Sequence, residues 1–284
     1  MRTRALILVL ALTALLPACS GADMVPARNK AARLASDAGW QYELRDSGGF
    51  VLATAQSPNR ASDVLTVYLE GDGMAFLATG RVSPDPTPHD PVALRLALGH
   101  KAGTAAYVAR PCQYSLPNGR GRNCDPAIWT SHRYAPEVVQ SMDAAVDALK
   151  SRSGARRVVL VGYSGGGALA ALLAVRRDDV AGIVTLAANL DVKYWVARDR
   201  LSPLSGSLDP ADFASRLRAT PQVHLVGGKD EVVTPDVVAS YVAKLGAGAP
   251  VSVVEMASYS HVCCWADNWP ALMQRHEVAR VMHP

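Results

Sequence analysis

The stretch Gly162-Tyr163-Ser164-Gly165-Gly166 sets a serine among small residues, directly after the apolar run Val158-Val159-Leu160-Val161 and before the Ala/Leu-rich Gly167–Val175. A strand that feeds a helix through so tight a turn holds the serine in a strained backbone and exposes its hydroxyl at the carboxyl edge of a sheet. Amides at the helix start then face any oxyanion formed beside that hydroxyl. A serine hydroxyl attacks a carbonyl only when a base takes its proton, and an imidazole suits that task. His224 falls inside an apolar segment and reads as a core or edge residue. His132 sits near Trp129 and could line a pocket, while His276 and His283 fall in the terminal helix and tail; His261 follows a late apolar run. Asp191, Asp230 and Glu231 are the carboxylates that could orient such a base. A turn of this kind could also only pack a helix on a strand, as in nucleotide-binding folds. No Gly-x-Gly-x-x-Gly and no phosphate-loop lysine accompanies it, however.

The elements that must position these groups are legible in outline. Trp40–Leu44 and Phe50–Thr54 read as strands joined by a turn at Asp46-Ser47-Gly48-Gly49. Val64–Leu69 is a third strand, running straight into Glu70-Gly71-Asp72-Gly73. Prolines at 84, 86, 88 and 91 make Ser83–Pro91 an extended surface loop. Lys30–Ala38 and Val92–Leu98 read as helices, Ala105–Ala109 as a short buried strand. Pro136–Lys150 carries Val138, Val139, Met142, Ala145, Val146 and Leu149 at helical spacing. Val158–Val161, Val180–Leu186, Gln222–Val226 and Val251–Met256 repeat the buried-strand pattern, with helices expected at Pro210–Arg218 and Pro235–Leu245. Continuous apolar strands alternating with helices predict an α/β fold: a mainly parallel central sheet with helices on both faces. A chain of 284 residues, 49% apolar, is consistent with one large domain over 30–284, within which 189–220 reads as a small cap.

On the Gly162-Tyr163-Ser164-Gly165-Gly166 motif in its strand–helix setting, the chain resembles the α/β-hydrolase superfamily over roughly residues 40–284. Carried over, Ser164 matches the nucleophile and the Gly165 amide one oxyanion donor. The superfamily's chain order is serine, acid, histidine, the acid after a late strand and the histidine after the last. Gln222–Val226 is followed by Gly227-Gly228-Lys229-Asp230, and Val251–Met256 by Ala257-Ser258-Tyr259-Ser260-His261. The resemblance therefore implies Asp230 as the acid and His261 as the base. In many esterases the second oxyanion donor lies in a Gly-rich turn after the third strand. Glu70-Gly71-Asp72-Gly73-Met74 stands there without the usual histidine-glycine opening, leaving Asp72 and Gly73 as candidates; Asp72-Gly73 also reads as a plain hairpin turn. The resemblance implies hydrolysis of a carboxylic ester or related acyl group through an acyl-serine, on a small-molecule or lipid-like ester. It implies no metal and no organic cofactor, and no His-x-x-x-His, paired Cys-x-x-Cys or carboxylate cluster argues for a metal. Acyl transfer or amide cleavage on the same triad, and a non-catalytic surface binding module of the same fold, remain open. The intact serine, aspartate and histidine count against the binding module. Oligomeric state has no signal.

The chain begins with Arg2 and Arg4 followed by Ala5–Leu16, an apolar run broken only by Thr13. Twelve residues fall short of the about 20 needed to span a bilayer but suit a signal peptide. The run ends at Leu16-Pro17-Ala18-Cys19, which resembles the lipobox of bacterial lipoproteins, and that resemblance implies cleavage after residue 18, lipidation of Cys19 and a tether over 19–29. Ser20 after the cysteine implies the outer membrane or cell envelope. Loss of Arg2 and Arg4 lowers the formal charge from +4 to +2, so nothing in the balance points to nucleic acid. Four cysteines remain, an even count that favours pairing in an oxidising compartment. Cys112 and Cys124 bracket a polar, Gly- and Pro-containing loop and are the favoured pair; Cys263 and Cys264 are left open.

Overall fold

The computed structural model describes residues 26–58 and 62–283. The expected signal peptide, the lipobox-like Leu16–Cys19 and most of the expected 19–29 tether therefore lie outside the described residues. The first described element is helix α1 (Ala27–Asp37), which starts directly after Pro26 and so takes in the last residues assigned to the tether. Ala27, Arg28 and Lys30 are good helix formers, and Ala31 and Ala35 bury one face of the helix.

Eight strands form one sheet: β1 (Gln41–Ser47), β2 (Phe50–Gln56), β3 (Val64–Leu69), β4 (Thr104–Val108), β5 (Arg157–Tyr163), β6 (Val180–Leu186), β7 (Gln222–Gly227) and β8 (Val251–Met256). Their spatial order is β1-β2-β4-β3-β5-β6-β7-β8. The β1–β2 and β2–β4 pairings are antiparallel and all others parallel. Strand β1 runs on to Ser47, so the turn narrows to Gly48-Gly49. Arg45 and Asp46 do not end it because β1 is an edge strand, where polar side chains can reach solvent.

The remaining helices are α2 (Val92–Gly99), α3 (Pro136–Ser153), α4 (Gly165–Arg176), α5 (Val192–Asp199), α6 (Pro235–Leu245), α7 (Trp265–Leu272) and α8 (His276–Met282). The central strands are apolar throughout because alternate residues feed two cores. Val158, Leu160 and Ile183 point to α3, α4 and α6. Val159, Val161 and Val184 point to α2, α7 and α8. This is the α/β architecture that the strand and helix pattern predicts. Pro210–Arg218 differs in type: Pro210–Leu217 is a 3-10 helix. It buries Ala211, Ala214 and Leu217, a spacing of three that fits three residues per turn. Asp209 caps it and also accepts the amides of Val192 and Lys193, tying the start of α5 to it within 189–220.

From β3 the chain crosses to β4 on one side and returns to β5 on the other, so the strand order reverses between β3 and β5. In open α/β sheets a crevice forms outside the carboxyl ends at such a switch point. Leu69 pairs with Gly162 there, which brings Glu70-Gly71-Asp72 beside Ser164.

Candidate active site

Ser164 occupies the single position between β5 and α4, with φ 50° and ψ −124°. A non-glycine residue is held there only when its surroundings over-determine it. Its amide donates to the Leu186 carbonyl (2.8 Å) and its carbonyl accepts from Gly167 (2.9 Å). A β-carbon at Gly162 would overlap the Gly166 carbonyl, and one at Gly166 would overlap that of Leu69. Gly162 and Gly166 are thus required by how closely strand and helix approach.

His261 Nε2 lies 3.0 Å from Ser164 Oγ, and His261 Nδ1 lies 2.9 Å from Asp230 Oδ2. The Asp230 carboxylate is buried, and its other oxygen accepts the amides of Val232 (2.9 Å) and Val233 (2.8 Å). With Asp230 accepting at Nδ1, the imidazole carries its proton there and presents a free lone pair at Nε2 to the serine. The His261 carbonyl accepts from Tyr163 OH (3.0 Å) and Trp265 Nε1 (2.9 Å), which fixes the loop after β8. Ser164 is 8% exposed and the His261 side chain 15%, so the pair sits at an opening, not inside the core.

The other candidates lie elsewhere. His224 is fully buried in β7, bonded to Thr185 Oγ1 at 2.8 Å, and burial pushes its pKa down to about 3. Asp191 caps α5 by accepting the Tyr194 amide and is paired with Ser240 and Lys244. Burial raises its pKa, but those bonds, Lys244 first, hold it below the ordinary carboxylate value. Glu231 is exposed, and His132 bonds its neighbour Ser131. His276 and His283 lie at the two ends of α8, both exposed.

The turn after β3 is built around two carboxylates whose partners no local pattern announces. Glu70 is buried and accepts the amides of Gly71 (3.0 Å) and Ala93 (3.2 Å) at one oxygen and Tyr107 OH (3.1 Å) at the other. Asp72 is gripped by Arg110 through one oxygen and Arg133 through the other. Burial works to raise the Asp72 pKa, but the Arg133 and Arg110 guanidiniums override it and hold the group ionised below the usual range. Gly165 has no room for a side chain because Asp72 and Arg110 occupy that space, so Asp72 borders the first residue of α4. Gly73 is exposed and turns the other way, with φ 66°, against the Pro86 carbonyl and the Gln113 amide. Gln113 Nε2 donates to the Gly71 carbonyl (3.0 Å), while its Oε1 accepts the Arg110 amide (3.1 Å). Gln113 belongs to the segment that Cys112 and Cys124 bracket, and Arg110 stands two residues before Cys112; the two cysteine sulfurs are paired, with Cα atoms 5.6 Å apart, a separation that suits a disulfide. Cys263 and Cys264 lie side by side between His261 and α7. Arg110 stands two residues past the end of β4, a strand-end position that marks it in hindsight; Arg133 sits in a loop with no such mark.

Among known proteins, a model of the Dienelactone hydrolase family matches residues 119–255. No curated protein matches the sequence. Among solved structures, the chain is similar to an α/β serine hydrolase homologue from Coxiella burnetii, with 16% identity, TM-score 0.56, and 84% of this chain and 96% of that one covered. It is also similar to an α/β serine hydrolase without lid from Xanthomonas campestris, with 16% identity, TM-score 0.55, and 85% and 94% covered. A Pyrococcus furiosus esterase gives 13% identity, TM-score 0.57, and 87% and 93% covered. Sheet order, switch point and these likenesses agree: the chain has the α/β-hydrolase fold, and the family match over residues 119–255 supports a hydrolase.

Proposed function

We propose that the protein hydrolyses carboxylic esters through an acyl-serine intermediate, with Ser164 as nucleophile. The unbroken Ser164–His261–Asp230 relay on a strained strand–helix turn is the observation that carries this reading. In the first half-reaction His261 Nε2 takes the hydroxyl proton as Ser164 Oγ bonds to the ester carbonyl carbon. The carbonyl oxygen becomes an oxyanion, the role for which preorganised amides are worth a few kcal/mol each. Gly165, in the first helical turn where amides lack helical partners, supplies one. The Asp72 amide supplies the other: Asp72 borders Gly165, and among the described residues no acceptor is bonded to that amide. Collapse breaks the ester C–O bond, and His261 returns the proton to the leaving alkoxide. Water then repeats the sequence on the acyl-serine, releasing the acid and restoring Ser164. Asp230 holds the imidazole tautomer throughout.

Fluorophosphonate labelling and ester turnover test this. Ser164→Ala should abolish labelling, and Ser164→Ala or His261→Ala should each cost several orders of magnitude in kcat. The double variant should lose little more, since the two act as one unit. Full turnover by folded Ser164→Ala, or labelling confined to another residue, would refute the assignment.

Three further readings go with this one. The lipobox at Leu16–Cys19 supports export and a lipid anchor at Cys19, which puts the domain in the cell envelope facing a small-molecule or lipid-like ester. An oxidising compartment fits a Cys112–Cys124 disulfide, which the facing sulfurs support. The chemistry asks for no cofactor.

A further inference from the structure

Among the segments that follow the carboxyl ends of β3, β4 and β6 lies a cavity of about 480 Å³ with Phe76, Arg133, Trp195, Val196, Leu201 and Leu204 in its wall. Its volume is in the range of ligand pockets, and its wall is apolar apart from small hydroxyls and one guanidinium. Phe76 is 46% exposed and Leu201 41%, large apolar side chains that a core would cover. Two bonds tie the cavity wall to the site. At one end, Arg133 reaches out of the wall to Asp72, which borders Gly165. At the other, Trp195 Nε1 donates to the Val232 carbonyl (2.7 Å), and the Val232 amide is one of the two that hold Asp230. The cavity wall is thus one bond from Asp72, which borders Gly165, and one bond from Val232, whose amide holds Asp230.

We propose that this cavity seats the apolar chain of the ester, making Phe76, Trp195, Leu201 and Leu204 the residues that set chain-length preference. The inference rests on the acyl-serine reading for its catalytic consequence and names the substrate class: esters with an extended hydrocarbon chain. Arg133 does not oppose such a chain, because its charge is already committed to Asp72 at the cavity's edge. Each methylene moved from water into an apolar wall favours the bound state by about fourfold.

The test is a para-nitrophenyl ester series from acetate to decanoate on the wild type, Leu201→Trp and Leu204→Arg. The wild type should show kcat/KM climbing at least tenfold from acetate to octanoate. In both variants the octanoate-to-acetate ratio should fall at least fivefold. A flat series in the wild type, or an unchanged ratio in both folded variants, overturns the pocket. Calorimetric titration with decanoate keeps the two readings apart, because it needs no turnover. Saturable binding that Leu204→Arg removes upholds the pocket even if every ester resists cleavage, an outcome that would sink the hydrolase reading instead. No saturable binding by the wild type overturns the pocket whatever the turnover.

Discussion

Glu70 is a residue whose environment departs far from its type. It is a carboxylic acid at the end of a core strand, buried, and its pKa is pushed up to about 7. Burial is the largest cause; the bonds from the amides of Gly71 and Ala93 and from Tyr107 OH pull the other way and do not cancel it. The native state therefore keeps a proton that the unfolded chain sheds at its ordinary value of 4.5. Its contribution to stability is complete below that value and is lost as pH rises through about 7. Glu70→Gln keeps one carbonyl acceptor for the two amides, and Tyr107 OH can accept from the new NH2. Denaturant melts of the two proteins should show the variant gaining on the wild type between pH 5 and pH 8. A difference that stays constant over that range would show that Glu70 does not titrate there. The sequence made Glu70 visible only as the first residue of a turn. Its partners come from α2 and β4, and burial of a carboxylate among distant elements leaves no local pattern. The same holds for Asp72: its backbone place in the turn was legible, its guanidinium partners were not.

At the scale of elements, legibility follows how sharply hydrophobicity ends. Val64–Leu69, Val180–Leu186, Val251–Met256 and Pro235–Leu245 are bounded by turn residues, and their predicted and observed limits coincide. Edge strand β1 overran its predicted end because solvent accepts Arg45 and Asp46 there, and Pro210–Leu217 changed helix type because it packs every third residue. Strand ends mattered most for the site: Ser164, Asp230 and His261 each follow an apolar run closely, so their common edge could be read, while the loops opposite them could not. The loop closed by Cys112 and Cys124 is the case in point. Through Gln113 it holds the Gly71 carbonyl and the amide of Arg110, whose guanidinium grips Asp72, so it braces the turn after β3. Closing a loop of about a dozen residues is worth ~3 kcal/mol in the chain-entropy model. For a domain of this size that corresponds to a fall in Tm of about 6–12 °C on reduction or in Cys112→Ser/Cys124→Ser. kcat should fall with it as the turn loosens, with KM for a short ester moving less. Free thiols at both positions in non-reducing peptide mapping, or an unchanged Tm on reduction, would refute the bracing role.

The whole molecule adds an orientation to the site. Both cores stack on one sheet, and the relay, the Asp72 turn and the apolar cavity all open at its carboxyl edge, around the β3–β5 switch point. The described chain starts on that same side. The Arg28 carbonyl accepts from Asn118, in the loop beyond the carboxyl end of β4, and Lys30 Nζ donates to the His89 carbonyl in the proline-rich loop (2.8 Å). Pro26 follows Cys19 by seven chain steps, a reach of about 25 Å even when fully extended. A lipid on Cys19 would thus hold the mouth of the crevice close to the bilayer, where an ester with a hydrocarbon chain partitions. Two consequences distinguish this from an anchor that only retains the protein. Cys19→Ala should shift the protein from the membrane to the soluble fraction while leaving turnover of para-nitrophenyl acetate in solution unchanged, since a dissolved ester reaches the crevice without the membrane. Turnover of a long-chain ester embedded in vesicles should drop at least tenfold in the same variant, because each encounter then requires a fresh collision with the surface. Equal rates on vesicle-borne ester for anchored and released protein would show that the crevice does not face the lipid. Wild-type protein recovered wholly in the soluble fraction would remove the anchor itself.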